Sequence, residues 1–243
     1  YRNTLKTISE IQVKALKTRR IVAEPEKKVE IPIASRPASV TRKAGEVSSE
    51  FTHAEVIAIG ASAGGPQAVR ALLNSLPSDL KIPVMVVQHI DKNFAEGYCE
   101  WLGTMSGFPV VIASHGLAML PGHIYLPPGD HHLGLSRRGV ISLSKNPPEK
   151  GLRPAVSYLF RNVYHTYGKD CIGVILSGMG MDGAEELRML HSAGAVTFAQ
   201  DAASSLVHGM PGEAIRLNAA TMILTPEEIG LEIQKLSKQQ PLT

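Results

Sequence analysis

Three short apolar runs in the sequence each stop at a side chain able to do chemistry: the first at Ser62, the second at His89, and the run beginning at Cys171 at Asp182. A serine hydroxyl is a poor nucleophile at neutral pH and needs a neighbouring base. A neutral imidazole can take its proton, and a carboxylate on the other ring nitrogen fixes the tautomer and stabilises the imidazolium. Ser62 lies in Gly60-Ala61-Ser62-Ala63-Gly64, a G-x-S-x-G pattern between a predicted strand and a predicted helix. Small neighbours suit such a turn. Gly64 and Gly65 let a substrate approach the backbone, and the N-terminus of the following helix favours a developing negative charge. Ala63, Gly64 and Gly65 are therefore the expected substrate and oxyanion elements beside the nucleophile.

Each residue also has a plainer reading. The Ser62 turn could bind a phosphate, Asp182 could cap a helix starting near Ala184, and His89 could be a hydrogen-bonded strand-end histidine. A dinucleotide site, however, expects G-x-G-x-x-G and a carboxylate at the end of the second strand. Here Ser62 takes the third motif position and the second strand ends in Gln88-His89. Hydroxyl facing imidazole favours Ser/His chemistry, with a catalytically silent binding module as the rival class. The order Ser…His…Asp differs from the α/β-hydrolase order, so that superfold is not implied.

These residues need a frame that brings strand ends together. Glu55–Ile59, Val84–Val87, Pro109–Ala113, Cys171–Leu176 and Ala195–Ala199 read as short buried strands. Helical spacing is expected at 66–76, 154–167, 184–191, 211–217 and 226–237, with Pro66 at a first helical position. Residues 123–145 read as HIYLP followed by a hairpin turning at Arg137–Arg138–Gly139. The expected fold is α/β: a doubly wound, mainly parallel sheet with helices on both faces and an antiparallel hairpin. Ligands in such sheets sit beyond the carboxyl ends of the strands, where the three reactive residues fall.

Residues 54–240 form the expected catalytic domain. Residues 1–20 have roughly helical apolar spacing with a basic end. Residues 21–53, with Pro25, Pro32 and Pro37, read as a flexible linker. The 243-residue chain carries a net charge of +3. Residues 1–53 hold 11 Lys+Arg against 6 Asp+Glu, and the remainder 14 against 16, so the globular part is not a basic nucleic-acid binder. Only 5% of residues are aromatic, too few for a base-stacking surface. Cys99 and Cys171 lack CxxC spacing, which argues for a reducing compartment and against a zinc framework. No run is long enough to span a membrane and no signal peptide is visible, so cytoplasm is expected. His115, His123, His131 and His132 show no metal-ligand spacing, His165, His191 and His208 read as surface or packing residues, and no metal or cofactor is expected.

Further strings bear on the reading: IAIGASAGGPQAVR at 57–70, VVQHI at 86–90, LPGHIYLPPGDHHL at 120–133, RPAVSYLF at 153–160, GVILSGMGMDGA at 173–184 and HGMPGEAI at 208–215. With these, the chain from about Val56 to Lys235 resembles the chemotaxis protein-glutamate methylesterases. The resemblance implies Ser62 as nucleophile, His89 as general base and Asp182 as its orienting partner. It also implies that Met179 and Gly180 help form the substrate site and an oxyanion donor. The implied reaction is hydrolysis of glutamate γ-methyl esters on the cytoplasmic helical bundle of chemoreceptors, with deamidation of matching glutamines. It further implies an upstream receiver domain, of which residues 1–20 would be a helical remnant. Two positions depart from the family's usual pattern: Ala63 stands where Thr is common, and Met181 where Asn is common.

Overall fold

A computed structural model describes residues 53–238. The expected helix at 1–20 lies outside the described residues, as does all of the linker except His53. The chain runs β1 (Val56–Ala61), α1 (Gly65–Asn74), β2 (Val84–Gln88), a 3-10 turn at Lys92–Phe94, α2 (Ala95–Ser106), β3 (Val110–Ile112) and β4 (Ile124–Leu126). Next come β5 (His132–Arg137), β6 (Val140–Ser144), α3 (Val156–Tyr167), β7 (Cys171–Ile175) and α4 (Ala184–Ser192). The final elements are β8 (Val196–Gln200), α5 (Gly209–Arg216), β9 (Met222–Leu224) and α6 (Pro226–Lys238). Seven parallel strands form one sheet in the order β3-β4-β2-β1-β7-β8-β9, and β5–β6 is a separate antiparallel hairpin.

The sequence VIAIGA shows why β1 is central. All six residues are buried, because helices cover both faces of the sheet and leave no side for polar alternation. Ile57, Ile59 and Ala61 pack into a core that includes Val69, Leu72 and Leu73 of α1, Leu102 of α2 and Ile229 of α6. Val56 and Ala58 pack oppositely, with Leu159, Phe160 and Val163 of α3 and Leu187 of α4. The spacing 156, 159, 160, 163 and 167 in α3 gives it one apolar face, all of it buried. Each such Val, Leu or Phe contributes about 1.5–3 kcal/mol when fully buried.

Strand order reverses between β1 and β7: β2 and β4 lie on one side of β1, and β7, β8 and β9 on the other. That switch point opens a crevice at the carboxyl ends of the strands. Neither α2 nor β9 is among the expected elements. The first carries Gly97 and Gly103 and buries only Ala95, Tyr98 and Leu102, and the second is three residues long. α1 begins at Gly65 instead of the expected Pro66, which is its second residue.

Candidate active site

β1 and β2 pair in parallel register with Ala61 opposite Gln88. The His89 N–H continues this ladder to the Ala61 carbonyl at 2.9 Å. Ser62 and His89 are thus the next residues out on neighbouring strands, whose spacing is about 4.8 Å. Beyond Ser62 the chain turns sharply. Gly65 N–H donates to the Ser62 carbonyl at 2.8 Å, and Gly64, with φ +80°, is the residue before α1. A side chain at Gly64 would be strained in that left-handed conformation, and its Cβ would sit 2.6 Å from Ser177 Oγ. α1 has no side-chain cap, so its first N–H groups and positive dipole end face the turn.

From the other side, β7 pairs with β1, and the loop after it delivers Ser177 and Asp182. Ser62 N–H donates to the Ser177 carbonyl at 3.0 Å. Ser177 Oγ donates to the Ala63 carbonyl at 2.7 Å and accepts the Val207 N–H at 3.0 Å. The Ser177 N–H in turn donates to Gln200 Oε1 at 2.7 Å.

Asp182 is buried, with 3% of its side chain exposed, and takes three hydrogen bonds. Oδ2 accepts His89 Nε2 at 2.8 Å and Val156 N–H at 2.6 Å, while Oδ1 accepts Ser157 N–H at 3.0 Å. The last two donors are the first residues of α3, whose dipole also favours an anion there. Burial pushes the Asp182 carboxyl up, but the bonds from His89, Ser157 and Val156 outweigh it and hold the group below the ordinary carboxylate value. An ionised carboxylate only accepts, so His89 Nε2 carries the proton of this bond, which leaves the lone pair of the neutral imidazole on Nδ1. Asp182 does not cap α4; Gly183 occupies that position and no side-chain cap is formed.

α3's start is itself held from below. Fully buried His132 accepts the Ala155 N–H on Nδ1 at 3.3 Å and contacts the Pro147 carbonyl through Nε2 at 3.2 Å. Its ring stacks on Tyr158 at 4.4 Å. Ser157 Oγ donates to Glu149, which also pairs with Arg161. None of these supports was expected from the sequence, although Val156 and Ser157 lie within the RPAVSYLF string.

Ser62 is half-buried and Ala63 exposed, and no hydrogen bond joins Ser62 Oγ to His89. Met179 and Met181 are exposed, as is Leu206, which lies against the Gly64 turn. Gly180 adopts φ +87° in the same loop. Two open clefts flank the strand ends. One of about 440 Å³ runs past His89, Asp130 and Arg153, and one of about 400 Å³ passes Gly64, Arg70 and Leu206. His208 borders the Gly178 backbone, and burial lowers its imidazole below the ordinary value. One group of potential metal ligands occurs among the described residues: His53, Glu55 and Asp170. It lies at the amino ends of β1 and β7, away from Ser62, and Arg138 pairs with both carboxylates.

Residues 57–233 match the family model for CheB methylesterase. The chain belongs to the CheB methylesterase family. It is 50% identical over 183 residues to a protein-glutamate methylesterase/protein-glutamine glutaminase of Nitrosospira multiformis, which covers 75% of this chain and 52% of the relative. A second relative, from Syntrophus aciditrophicus and named for the same two activities, is 45% identical over 201 residues, 83% of this chain and 57% of its own. The chain therefore spans about half the length of the curated relatives it matches. The fold is also that of the crystal structure of the Thermotoga maritima CheB methylesterase catalytic domain. That match has a TM-score of 0.72 and 31% identity, over 76% of this chain and all of the other. The matched span contains Ser62, His89 and Asp182. No helix among the described residues is long and apolar enough to cross a membrane.

Proposed function

We propose that this chain hydrolyses γ-methyl esters of glutamate side chains on the cytoplasmic helical bundle of chemoreceptors. Ser62 is the nucleophile, His89 the general base and Asp182 its orienting partner. The observation that carries this reading is the buried 2.8 Å bond from His89 Nε2 to Asp182, one residue beyond a strand pair whose register sets Ser62 beside His89. With Nε2 committed to the carboxylate, Nδ1 is the atom that takes the Ser62 proton as Oγ attacks the ester carbonyl. The ring then returns the proton to the departing methoxide, releasing methanol. Water activated by the same nitrogen opens the acyl-enzyme and leaves glutamate. A glutamine side chain would follow the same path with ammonia as leaving group, consistent with the second activity in the relatives' names.

The tetrahedral oxyanion needs N–H donors aimed at it. Ser62 N–H is already bound to the Ser177 carbonyl, so it is not one of them. The Ala63 N–H, just ahead of α1, is the donor we assign, together with the Met179–Gly180 backbone. Gly64 and Gly65 do not open the approach as expected: a Cβ on Gly64 would meet Ser177 and Leu206, and one on buried Gly65 would meet Gln88 and Ala61. The open clefts on either side of the turn suit a helical substrate lying across the strand ends. Residues 1–20 are read as part of an upstream regulatory receiver domain, and residues 21–53 as the linker from it. The test is methanol release from methylated chemoreceptor bundles by the parent and by Ser62→Ala. Release by the parent alone supports the reading, and equal release by both overturns it.

A further inference from the structure

Gln88, the last residue of β2, is 4% exposed, and its carboxamide folds back over the strand end. Nε2 has two N–H bonds and both find carbonyls: Ser62 O at 2.8 Å and His89 O at 3.0 Å. The amide orientation is fixed by this pairing, because the flipped group would set an oxygen against two carbonyl oxygens. Oε1 is buried and has no hydrogen-bond partner among the described residues. It lies against the start of α1, where a Cβ on Gly65 would come within 2.2 Å of it. Gly65 is therefore what admits the carboxamide.

A buried oxygen without a hydrogen-bond partner is destabilising, so this placement is a poor device for stability alone. Its two bonds, however, grip the peptide of the nucleophile and the peptide of the base. No other side chain donates to the Ser62 carbonyl among the described residues. We propose that Gln88 is a positioning residue: its carboxamide clamps the Ser62 turn to the strand end bearing His89 and sets the separation of Ser62 Oγ from the imidazole. This rests on the reading of Ser62 as nucleophile. Reacting groups must be held to about 0.5 Å, and a 1 Å misplacement can cost on the order of 100-fold in rate.

Gln88→Met keeps the bulk, removes both donors and removes the orphaned oxygen. The expected result is a 10- to 100-fold fall, on the order of the misplacement penalty, in both kcat and the rate at which a fluorophosphonate labels Ser62. KM should stay within about threefold and the thermal midpoint near that of the parent, since substrate contacts and packing are kept. Gly65→Ala is the second variant. It crowds the same carboxamide, and also the Ala61 Cβ, without changing Gln88, and should slow labelling similarly, which keeps the test alive if Gln88→Met folds poorly. Labelling and kcat within twofold of the parent in folded Gln88→Met or Gly65→Ala would overturn the proposal. Failure of the parent itself to label would instead remove the esterase reading, and the clamp with it.

Discussion

Asp182→Asn isolates the role of one negative charge. The carboxylate receives three N–H groups with two oxygens, and an amide has only one oxygen. If that oxygen faces His89 and Val156, Nδ2 meets the Ser157 N–H donor to donor. If it faces Ser157, the NH2 confronts both other donors, and the imidazole escapes by moving its proton to Nδ1, which destroys the base. Either way at least one charge-assisted bond is lost, for about 1.5–3 kcal/mol of stability. The kinetic loss is separate. An imidazolium about 4 Å from a carboxylate centre gains about 4 kcal/mol at an effective dielectric near 20. At 1.36 kcal/mol per tenfold, that predicts a fall in kcat on the order of 1,000-fold. Methanol release from methylated receptor bundles, with urea unfolding of the same preparation, measures both. A folded Asp182→Asn chain within tenfold of the parent kcat would refute the assigned role.

Other consequences follow from the same contacts. Ser177→Ala strips a partner from the Ala63 carbonyl and the Val207 N–H, and should cost about 1–3 kcal/mol in urea unfolding at unchanged m-value. Cys171 is buried in β7 and its thiol is pushed up to about 12, so iodoacetamide at pH 8 should leave it unmodified until the chain unfolds. Peptide mapping after brief alkylation checks this. Because Asp182 titrates lower in the folded than in the unfolded chain, its contribution is present above the ordinary carboxylate value and lost as pH falls through the lowered one. Unfolding free energy should therefore drop from about pH 4 downward in the parent, and Asp182→Asn should flatten that slope. An identical slope in both would contradict the assignment.

Much of this site was legible because strand ends advertise themselves. VIAIG, VMVVQ and CIGVI are apolar runs that stop at polar side chains, and a parallel sheet turns such stops into neighbours. The G-x-S-x-G turn and the strand-end histidine needed no three-dimensional information. What the sequence hid was support from distant segments. Val156 and Ser157 bind Asp182 through backbone N–H groups, which leave no mark in residue type. His132 stood out only for lacking metal-ligand spacing, because its burial depends on Tyr158 and the 147–155 segment closing over it. Gln88 stood beside His89 in plain view, but a glutamine at a strand end carries no signal until its carboxamide is seen to turn inward.

In the proposed mechanism Ser62 attacks with His89 as its base. The most direct test is intact-mass and peptide analysis after exposure of the parent, Ser62→Ala and His89→Ala to a fluorophosphonate. One adduct per parent chain is expected, located on Ser62, with no adduct in Ser62→Ala and slow labelling in His89→Ala. An adduct elsewhere, or methanol release by a Ser62→Ala chain that no longer labels, would contradict it.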